Sequence, residues 1–493
     1  MDVAAYISAN HAHFFYVLAG LSFVVELALL GFALHHRCIL LLLLGLLLAS
    51  IDGSVPARPR RFAIRWNAAP APGSENPEAA AGPNSEALLV SGVDTVPDAR
   101  SPSEADESVG QLLGEDKGRA RHVVAESTTE GIGGAQAGSV FLGRKAASEA
   151  RSAAGGGASE AEGALRRALD WLARHQEPDG SWNAAQFLGR CPDTTCAGPG
   201  KHAFDAGTTG LALLPFLGAG HGHLDGPWAP TVRRGLVALL RRQRTDGLFA
   251  TGERRGYESA LATFALAEAY GLTQSAALLP PLQRAVDAWS RTQSPRGGWR
   301  YAPGDGNSDT SVTGWVALAL LAARKAGAQV PDHTLANCGD WFRRSVSADG
   351  AVDYVGRRTG TTALLGAGYA VSVSLGRPGS DPALRAVAKR LRAAPPIWNR
   401  SAEKGRDVFG PTDPSHWYYG SLAAFQAGGG TWRAWDSRLR ELLLRSQERD
   451  GHALGSWAPR GKTGHQGGRV VMTALAALCL EVSYRYPRVS GSR

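Results

Sequence analysis

Cysteine is scarce in this chain, with five residues in 493. Cys338 and Cys479 fall within helical patterns, where a cysteine is typical of a buried thiol. Cys191 and Cys196 lie instead in a Gly/Pro-rich loop, where a local disulfide is the favoured interpretation, and such a bond requires an oxidising compartment. A zinc site that includes His202 is the alternative. No fourth ligand for that site is evident, so we predict no metal ligand and no cofactor.

The chain also lacks a recognised nucleic-acid-binding motif and any run of basic residues interleaved with aromatic ones. Its net charge of +9 is uneven, because residues 1–150 have 11 basic and 16 acidic side chains and residues 151–493 therefore have a charge of +14. A basic region attracts anionic partners in principle. Most of its arginines fall on the outer faces of predicted helices, where they solvate the surface, and we expect no nucleic-acid partner.

The N-terminal residues 1–51 contain two apolar segments. Phe14–Leu34 has 21 residues, enough to span a bilayer core of about 30 Å, whereas Cys38–Ile51 has 14. The pair is either a helical membrane anchor or, with Ile39–Ala49 as its apolar core, a signal-like segment. We predict membrane anchoring through these segments. The side of the membrane stays open, and the rest of the chain is exported if the predicted disulfide forms.

A stretch without a repeat precedes six copies of one helix–turn–helix pattern. Residues 52–155 are rich in Ala, Gly, Pro, Ser and Glu and show no sustained apolar period, which predicts a disordered linker. Residues 156–487 repeat an amphipathic helix, a Gly-containing turn and an almost wholly apolar helix, and residues 488–493 form a tail. The four clear turns are Gln176-Glu-Pro-Asp-Gly-Ser-Trp182, Gln243-Arg-Thr-Asp-Gly-Leu-Phe249, Gln293-Ser-Pro-Arg-Gly-Gly-Trp299 and Gln447-Glu-Arg-Asp-Gly451 with Trp457. Two degenerate copies lie at Asp349-Gly350 and Pro395-Pro396-Ile397-Trp398.

The two kinds of helix predict how the repeats pack. Leu165, Leu169 and Leu172 recur at i, i+4 and i+7, which gives the first helix of a repeat one buried stripe. The segment 316–323 is apolar on every side, and such a helix must be covered on every side. Six outer amphipathic helices around six inner buried ones predict an all-α fold, an (α/α)6 toroid.

The corner sequence Gln-x-x-(Asp)-Gly-x-Trp, followed by an apolar inner helix, resembles the QW repeat of squalene-hopene cyclases. It is similar also to the related repeat of protein prenyltransferase β subunits. The resemblance covers about residues 156–487. It implies the α/α-toroid of that terpenoid-cyclase-like superfamily, whose members act on isoprenoids in a central cavity.

The catalytic motifs of those families match this chain only in part. The cyclases have an Asp-x-Asp-Asp-Thr motif whose middle Asp protonates an alkene. In the matching segment Gly306-Asn-Ser-Asp-Thr310, Asp309 and Thr310 agree but Ser308 replaces the acid. The Asp-x-Cys zinc pair of the prenyltransferases is absent. The resemblance therefore implies, if the chain is an enzyme, an atypical active site.

The inner helices of such a ring begin at one mouth, where their N–H groups and positive dipole ends favour anions and acidic side chains. Polar residues at these helix starts are therefore the site candidates. The catalytic candidates are Asp309, Glu258, His416 and Tyr419. The substrate-binding candidates are His465, Arg469, Trp417, Tyr257 and Asp205. The alternative role for Asp205, Asp309 and Asp413 is N-capping, which stabilises a helix by about 1 kcal/mol.

Three functions stay open on this sequence. The first is a membrane-tethered toroid that binds an isoprenoid or other lipid in its central cavity. The second is a non-catalytic module for a protein partner, which a long tether favours. The third is a polysaccharide lyase or glycosidase, in which His416, Tyr419 and Arg469 suit β-elimination from a uronate.

Overall fold

The computed structural model describes Leu113 and residues 139–488 apart from 193–195, 253, 357–359 and 399–408. The predicted membrane segments within residues 1–51 and most of the linker predicted for residues 52–155 lie outside the described residues. The fold is known for the described residues only.

The described residues form helices, and their only β pairing is an isolated bridge between Val346 and Val352. Six outer helices have one buried face: α3 (Gly156–Arg174), α5 (Ala229–Arg242), α7 (Leu279–Arg291), α9 (Asp332–Ser345), α11 (Pro382–Ala393) and α13 (Gly429–Ser446). Six inner helices are buried on almost all sides: α4 (Asp205–Gly218), α6 (Arg255–Thr273), α8 (Thr310–Ala326), α10 (Thr362–Ser374), α12 (Pro414–Ala427) and α14 (Gly461–Arg485).

The inner helices form a closed ring. Each packs against the next along the chain, from α4 to α14, and α14 packs in turn against α4. The outer helices surround this ring, and the first and last of them, α3 and α13, also pack together. The predicted (α/α)6 toroid is therefore confirmed.

Glycine lets neighbouring inner helices approach closely. A Cβ atom at Gly210 would lie 2.6 Å from the backbone of Leu261 in the next inner helix. At Gly366 it would lie 2.3 Å from the backbone of Tyr419. Both distances are shorter than van der Waals contact, so a larger residue at either position would force the two helices apart.

Each intact corner uses its glutamine to join successive repeats. Gln176 donates from Nε2 to the carbonyl of Gly180 in its own turn and to that of Thr231 in the next outer helix, both at 2.9 Å. Gln243 and Gln293 make the same pair of bonds one and two repeats later. A glutamine amide can satisfy carbonyls left free at the helix ends, so the corner motif serves the architecture.

The last corner makes these bonds across the seam that closes the ring. Gln447 donates to Gly455 of its own turn at 2.9 Å and to Ala164 of α3 at 2.7 Å. Arg167 of α3 donates back to Gln447 Oε1 at 2.8 Å, as Arg234 does to its glutamine in the first internal seam. The ring therefore closes with the same bonds that join its internal repeats.

Two helices, α1 (Ser139–Leu142) and α2 (Arg144–Ala153), lie at the end of the ring where the inner helices finish. Phe141 is 1% exposed and packs on Gly271 of α6, where a Cβ atom would lie 2.6 Å from its ring. The structure thus differs from the linker predicted up to residue 155. Within that stretch Phe141 and Arg144 are buried, and they dock α1 and α2 on the ring.

That arginine belongs to a buried charge cluster. Arg144 pairs with Glu268 of α6, and Arg485 of α14 lies 3.3 Å from the same carboxylate and 3.2 Å from Glu481. All four residues are at most 2% exposed. Burial alone would raise the pKa of Glu268, but the guanidinium groups of Arg144 and Arg485 hold that pKa below its usual range.

One described helix, α14, is long and apolar enough by length and composition to cross a membrane. Its most apolar window is 89% buried within the structure. It is the sixth inner helix of the ring.

Candidate functional site

A cavity of about 450 Å³ lies where the six inner helices begin. Each inner helix contributes at least one residue from its first turns, so the predicted meeting of helix starts at one mouth is observed. The main lining residues are Gly207, Thr208, Leu211, Tyr257, Glu258, Leu261, Tyr301, Ser311, Trp315, Tyr354, Leu364, Phe409, Ser415, Tyr419, Lys462, Gln466 and Leu475.

Aromatic rings dominate the deeper wall of this cavity. Trp315 and Tyr419 lie with ring centroids 5.2 Å apart, and Tyr418 stacks on Trp315 at 5.4 Å and lies 5.6 Å from Tyr419. Tyr418 is fully buried and its hydroxyl bonds to that of Tyr486, which follows α14. Trp315 and Tyr419 line the cavity, and Tyr418 packs behind them outside the lining.

Glu258 is the carboxylate in the cavity wall. It lies at the start of α6 against the first turn of α4, where a Cβ atom on Gly207 would be 3.0 Å from its Cα and Cγ. Burial raises the pKa of Glu258 to about 7, against the backbone amides of Gly207 and Ala206, which lower it. A carboxyl group with this pKa gains and loses a proton near neutral pH.

Asp309 lies behind the wall and connects to the cavity through a hydroxyl chain. It caps α8 as its Oδ1 accepts from the amides of Ser311 and Val312, so the capping role is confirmed. The Ser311 hydroxyl donates to the same oxygen at 2.7 Å and bonds in turn to the Tyr257 hydroxyl. Burial raises the pKa of Asp309, although these bonds and Arg300 oppose the shift. The structure thus links two selected candidates, Asp309 and Tyr257, through Ser311, a polar residue at the same helix start that was not selected.

Asp205 lies beside Glu258 in a shallow cleft at the same mouth. It is the first residue of α4 rather than its cap, since Phe204 occupies the cap position and makes no side-chain bond to the helix. Burial raises the pKa of Asp205, while Arg242 at 3.8 Å lowers it. The capping role weighed for Asp205 is therefore wrong, and that role at Asp413, which accepts from the amide of Ser415, is confirmed.

His416 and Trp417 follow the same helix start but lie away from the cavity. His416 is fully buried between two carbonyl oxygens, 3.0 Å from Thr362 and 2.8 Å from Ala394. Trp417 donates from Nε1 to the carbonyl of Pro411 at 2.6 Å. His416 joins α12 to α10 and to the end of α11, and Trp417 binds the loop before its own helix. The rotation of α12 directs Ser415 and Tyr419, but not these two, to the cavity.

Arg469 and His465 are also outside the cavity lining. Arg469 is 5% exposed, and it donates to the carbonyl of Ala197 at 3.0 Å and to the hydroxyl of Ser456 at 2.9 Å. His465 is half-buried in the first turns of α14, before the kink at Gly468. His416, Tyr419 and Arg469 are therefore not brought together, and the set considered for β-elimination is not assembled.

Several cavity residues were not among the sequence candidates. Trp315 lies one turn into α8, and Tyr301 and Tyr354 lie in the connections before inner helices, with their hydroxyl groups bonded to each other. Lys462, whose Nζ lies 4.9 Å from the Phe409 ring, is at the mouth. The signal available in the sequence was the aromatic residues near several inner-helix starts, of which only Tyr257, Trp417 and Tyr419 were selected.

The predicted disulfide between Cys191 and Cys196 is not present in the structure. Both sulfur atoms face His175 instead, at 3.2 and 3.3 Å from its Nε2. His202, considered as a zinc ligand, packs on Phe204 and is not part of this group. Cys338 and Cys479 are buried thiols as predicted.

No protein-family model matches the chain, and no curated protein matches its sequence. Membership of the QW-repeat family therefore stays a prediction. Among solved structures, the GH76A α-1,6-mannanase of Salegentibacter sp. HEL1_6 aligns over 65% of this chain and 98% of its own, at 12% identity and a TM-score of 0.47. The type II terpene cyclase MstE from Scytonema aligns over 66% and 98%, at 11% identity and 0.42.

A protein from Actinoplanes aligns over 66% of this chain and 99% of its own, at 16% identity and a TM-score of 0.41. All three alignments cover about two thirds of this chain. The toroid itself is defined by the packing of this chain's own helices.

Proposed function

We propose that the toroid binds an isoprenoid or another apolar lipid in its central cavity. The observation that supports this most is the lining, in which aromatic and aliphatic side chains from six helices surround about 450 Å³. Ligand pockets have volumes of roughly 300–1,000 Å³ and are mostly apolar with a few placed polar groups. A plugged ring centre would have favoured a scaffold, and an open polar groove a polysaccharide.

The mouth suits the polar end of such a lipid. Lys462 and Arg254 lie at the rim, the first over the Phe409 ring and the second over the Tyr301 ring at 6.0 Å. The positive ends of six inner helices point to the same rim. We therefore place the apolar chain on the aromatic wall and a neutral or anionic head group at the mouth, next to Glu258.

The acids present favour binding, or acid–base chemistry near neutral pH, over alkene protonation. Protonating an alkene requires a strong acid, and Ser308 replaces the residue that supplies it in the cyclases. Glu258 has a pKa of about 7, and burial also raises the pKa of Asp309. Both are weakened rather than strengthened as acids, which suits proton exchange with a polar head group.

A photoactivatable geranylgeraniol and its phosphate test this proposal on the full chain in lipid nanodiscs. We expect ultraviolet light to crosslink the probe to α6, α8 and α12 peptides, with competition by unlabelled compound. Leu261→Trp, which fills the cavity, should remove most of the labelling. Leu444→Trp on the outer helix α13 is the matched control and should change nothing. Labelling that Leu261→Trp leaves intact would refute a cavity ligand.

Stronger competition by the phosphate than by the alcohol would place an anionic head group at the rim. Lys462→Ala should then remove that preference without reducing the labelling by the alcohol. Equal competition by the two compounds would assign a neutral head group instead.

One observation favours a second candidate, a glycosidase. Asp205 and Glu258 share an open cleft, and burial raises the pKa of both carboxyl groups. Glycoside hydrolysis uses two carboxyl groups, one of them a general acid with a raised pKa. Release of reducing sugar from α-linked or uronate polysaccharides, lost in both Glu258→Gln and Asp205→Asn, would establish this activity. An inert wild-type protein would exclude it for the polymers tested.

A further inference from the structure

A group of two cysteines and two histidines lies at the seam between the first and sixth repeats. His175 follows α3, Cys191 and Cys196 lie in the loop between α3 and α4, and His452 lies in the corner between α13 and α14. One ligand atom from each residue can be chosen so that all four lie within 4.8 Å of one another. Three of the four residues are buried and His452 is half-buried. This group belongs to the outer corner of the ring and is separate from the central cavity.

The geometry of His175 directs one ring nitrogen at the sulfur atoms. Its Nδ1 lies 2.7 Å from the carbonyl oxygen of Trp171, which can only accept, so Nδ1 has the proton. Nε2 therefore presents its lone pair, with Cys191 Sγ at 3.2 Å and Cys196 Sγ at 3.3 Å. One lone pair cannot accept a proton from two thiols at once, so hydrogen bonding alone does not explain why both sulfur atoms face Nε2. Metal-bound histidines commonly donate their other N–H to a backbone carbonyl, as His175 does.

Three of the distances between ligand atoms are close to those around one tetrahedral ion, and the widest pair, up to 4.8 Å apart, must draw together when the ion binds. With Zn–S near 2.3 Å and Zn–N near 2.0–2.1 Å, neighbouring ligand atoms of a tetrahedral site lie roughly 3.3–3.8 Å apart. Cys196 Sγ is also 3.3 Å from His452 Nδ1, so both histidines approach the same sulfur. A two-iron cluster with two histidines on one iron and two cysteines on the other would separate sulfur from nitrogen by more than this.

We propose that His175, Cys191, Cys196 and His452 bind one structural zinc ion that fastens the first repeat to the sixth. Two thiolates and two imidazoles form a closed tetrahedral set with no position for substrate, which is characteristic of a structural site. The half-buried His452 leaves a path for the ion to enter. The site requires reduced cysteines, so it replaces the disulfide predicted for this loop.

Arg469 positions the cysteine loop for this site. Its backbone N–H donates to the carbonyl of Gly198 at 2.8 Å and its Nε to that of Ala197 at 3.0 Å. A Cβ atom at Gly468, in the kink of α14, would lie 2.3 Å from the amide nitrogen of Gly200. The loop with Cys196 is therefore held on the sixth inner helix before any ion binds.

The test is the metal content of the full chain, expressed in zinc-supplemented medium and purified without a polyhistidine tag or chelator. We expect one zinc per chain by plasma mass spectrometry. Cobalt substitution should give the intense visible bands of tetrahedral cobalt and a thiolate charge-transfer band. Substoichiometric zinc with no cobalt spectrum would overturn the proposal, as would a Cys191–Cys196 disulfide in non-reducing peptide mapping.

Variants assign the ligands. Cys196→Ser should lose the zinc, and Cys338→Ser, which alters a buried thiol elsewhere, should keep it. Because a buried substitution can prevent folding, His452→Gln at the half-buried ligand is the second variant. It should fold with the wild-type circular dichroism spectrum, weaken zinc binding at least tenfold and lower the Tm by about 2 °C or more. A folded His452→Gln protein with unchanged zinc affinity would remove His452 from the site and contradict the fastening of the two repeats.

Discussion

At the end of the ring where the inner helices finish, Arg144, Glu268, Glu481 and Arg485 are buried and paired, and α1 and α2 lie over them. At the end where the inner helices begin, a cavity is open. Burial of the Glu258 and Asp309 carboxyl groups there outweighs the hydrogen bonds that they accept. Among the described residues, buried polar atoms without a hydrogen bond occur at both ends, Asp309 Oδ2 and the Tyr419 hydroxyl at this end and Glu481 Oε1 and Arg485 Nε at the other. We call these the closed end and the open end.

The two ends differ in how their buried carboxyl groups are paired. Burial raises the pKa of Glu258 and Asp309 at the open end. At the closed end it also raises the pKa of Glu481, but two guanidinium groups hold the pKa of Glu268, the carboxylate they share, below its usual range. Charges without full compensation are costly for folding and are common at functional sites. Substitutions at the closed end should therefore lower stability, and conservative ones at the open end should cost little or raise it.

The largest effect is expected from Glu268→Ala at the closed end. It leaves Arg144 and Arg485 buried without their shared carboxylate, and breaking a buried pair costs about 3–5 kcal/mol. The measurement is the urea midpoint of the full chain. The control is Glu441→Ala, which removes an exposed partner of Arg445 and should cost less than about 1 kcal/mol. Similar midpoints for the two variants would mean that the closed end does not stabilise the ring.

Phe141→Ala should follow, with a loss of about 3 kcal/mol, because it removes a buried aromatic side chain from its contact with Gly271. Its neighbour Leu142 is 39% exposed, so Leu142→Ala is the matched control and should be nearly neutral. Tm and protease cleavage within residues 139–153 report the effect. If both variants were neutral, the docking of α1 on the ring would contribute nothing to stability.

Glu258→Gln at the open end should stabilise the protein at pH 8 by about 1–2 kcal/mol. The folded pKa of about 7 is above the unfolded value of 4.5. The wild-type contribution is therefore fully present below pH 4.5, declines between pH 4.5 and 7, and is lost above pH 7. Gln abolishes this dependence. The measurement is Tm against pH, with the exposed Glu149→Gln as the control, and a pH profile identical to wild type would contradict a raised pKa at Glu258.

The smallest effect is expected from comparing two helix caps. Asp309 and Asp381 each accept from two backbone amides at a helix start. Burial raises the pKa of Asp309, whereas hydrogen bonding from Arg377 lowers that of Asp381. Asn caps a helix about as well as Asp, so the substitution isolates the charge.

At pH 7, Asp381→Asn should cost about 0.5–1 kcal/mol, because the ionised cap contributes stability above its unfolded pKa. Asp309→Asn should cost nothing or stabilise slightly, because burial penalises the charged form of Asp309 and Asn has no charge to bury. Unfolding midpoints at pH 7 measure both. An equal cost at the two caps would show that burial does not set the charge at the open end.

The sequence predicted the ring because its signals are local. The Gln-Gly corners recur every 50 or so residues, and their bonds at Gln176, Gln243, Gln293 and Gln447 are the ones that the corner chemistry suggests. It also predicted that the site lies where the inner helices begin. It could not choose among the residues there, since Tyr419 faces the cavity and His416, three residues earlier, does not.

The sequence by itself determined the six outer and six inner helices of the ring and the mouth at which a site can form, because periodicity and turn chemistry depend on residues close together in the chain. Only the tertiary structure decided which side chains share a space. The rotation of each inner helix selects Tyr257, Glu258 and Tyr419 for the cavity. Ring closure brings His452 to Cys196 across 256 residues, and no local pattern records a contact that depends on the whole ring closing.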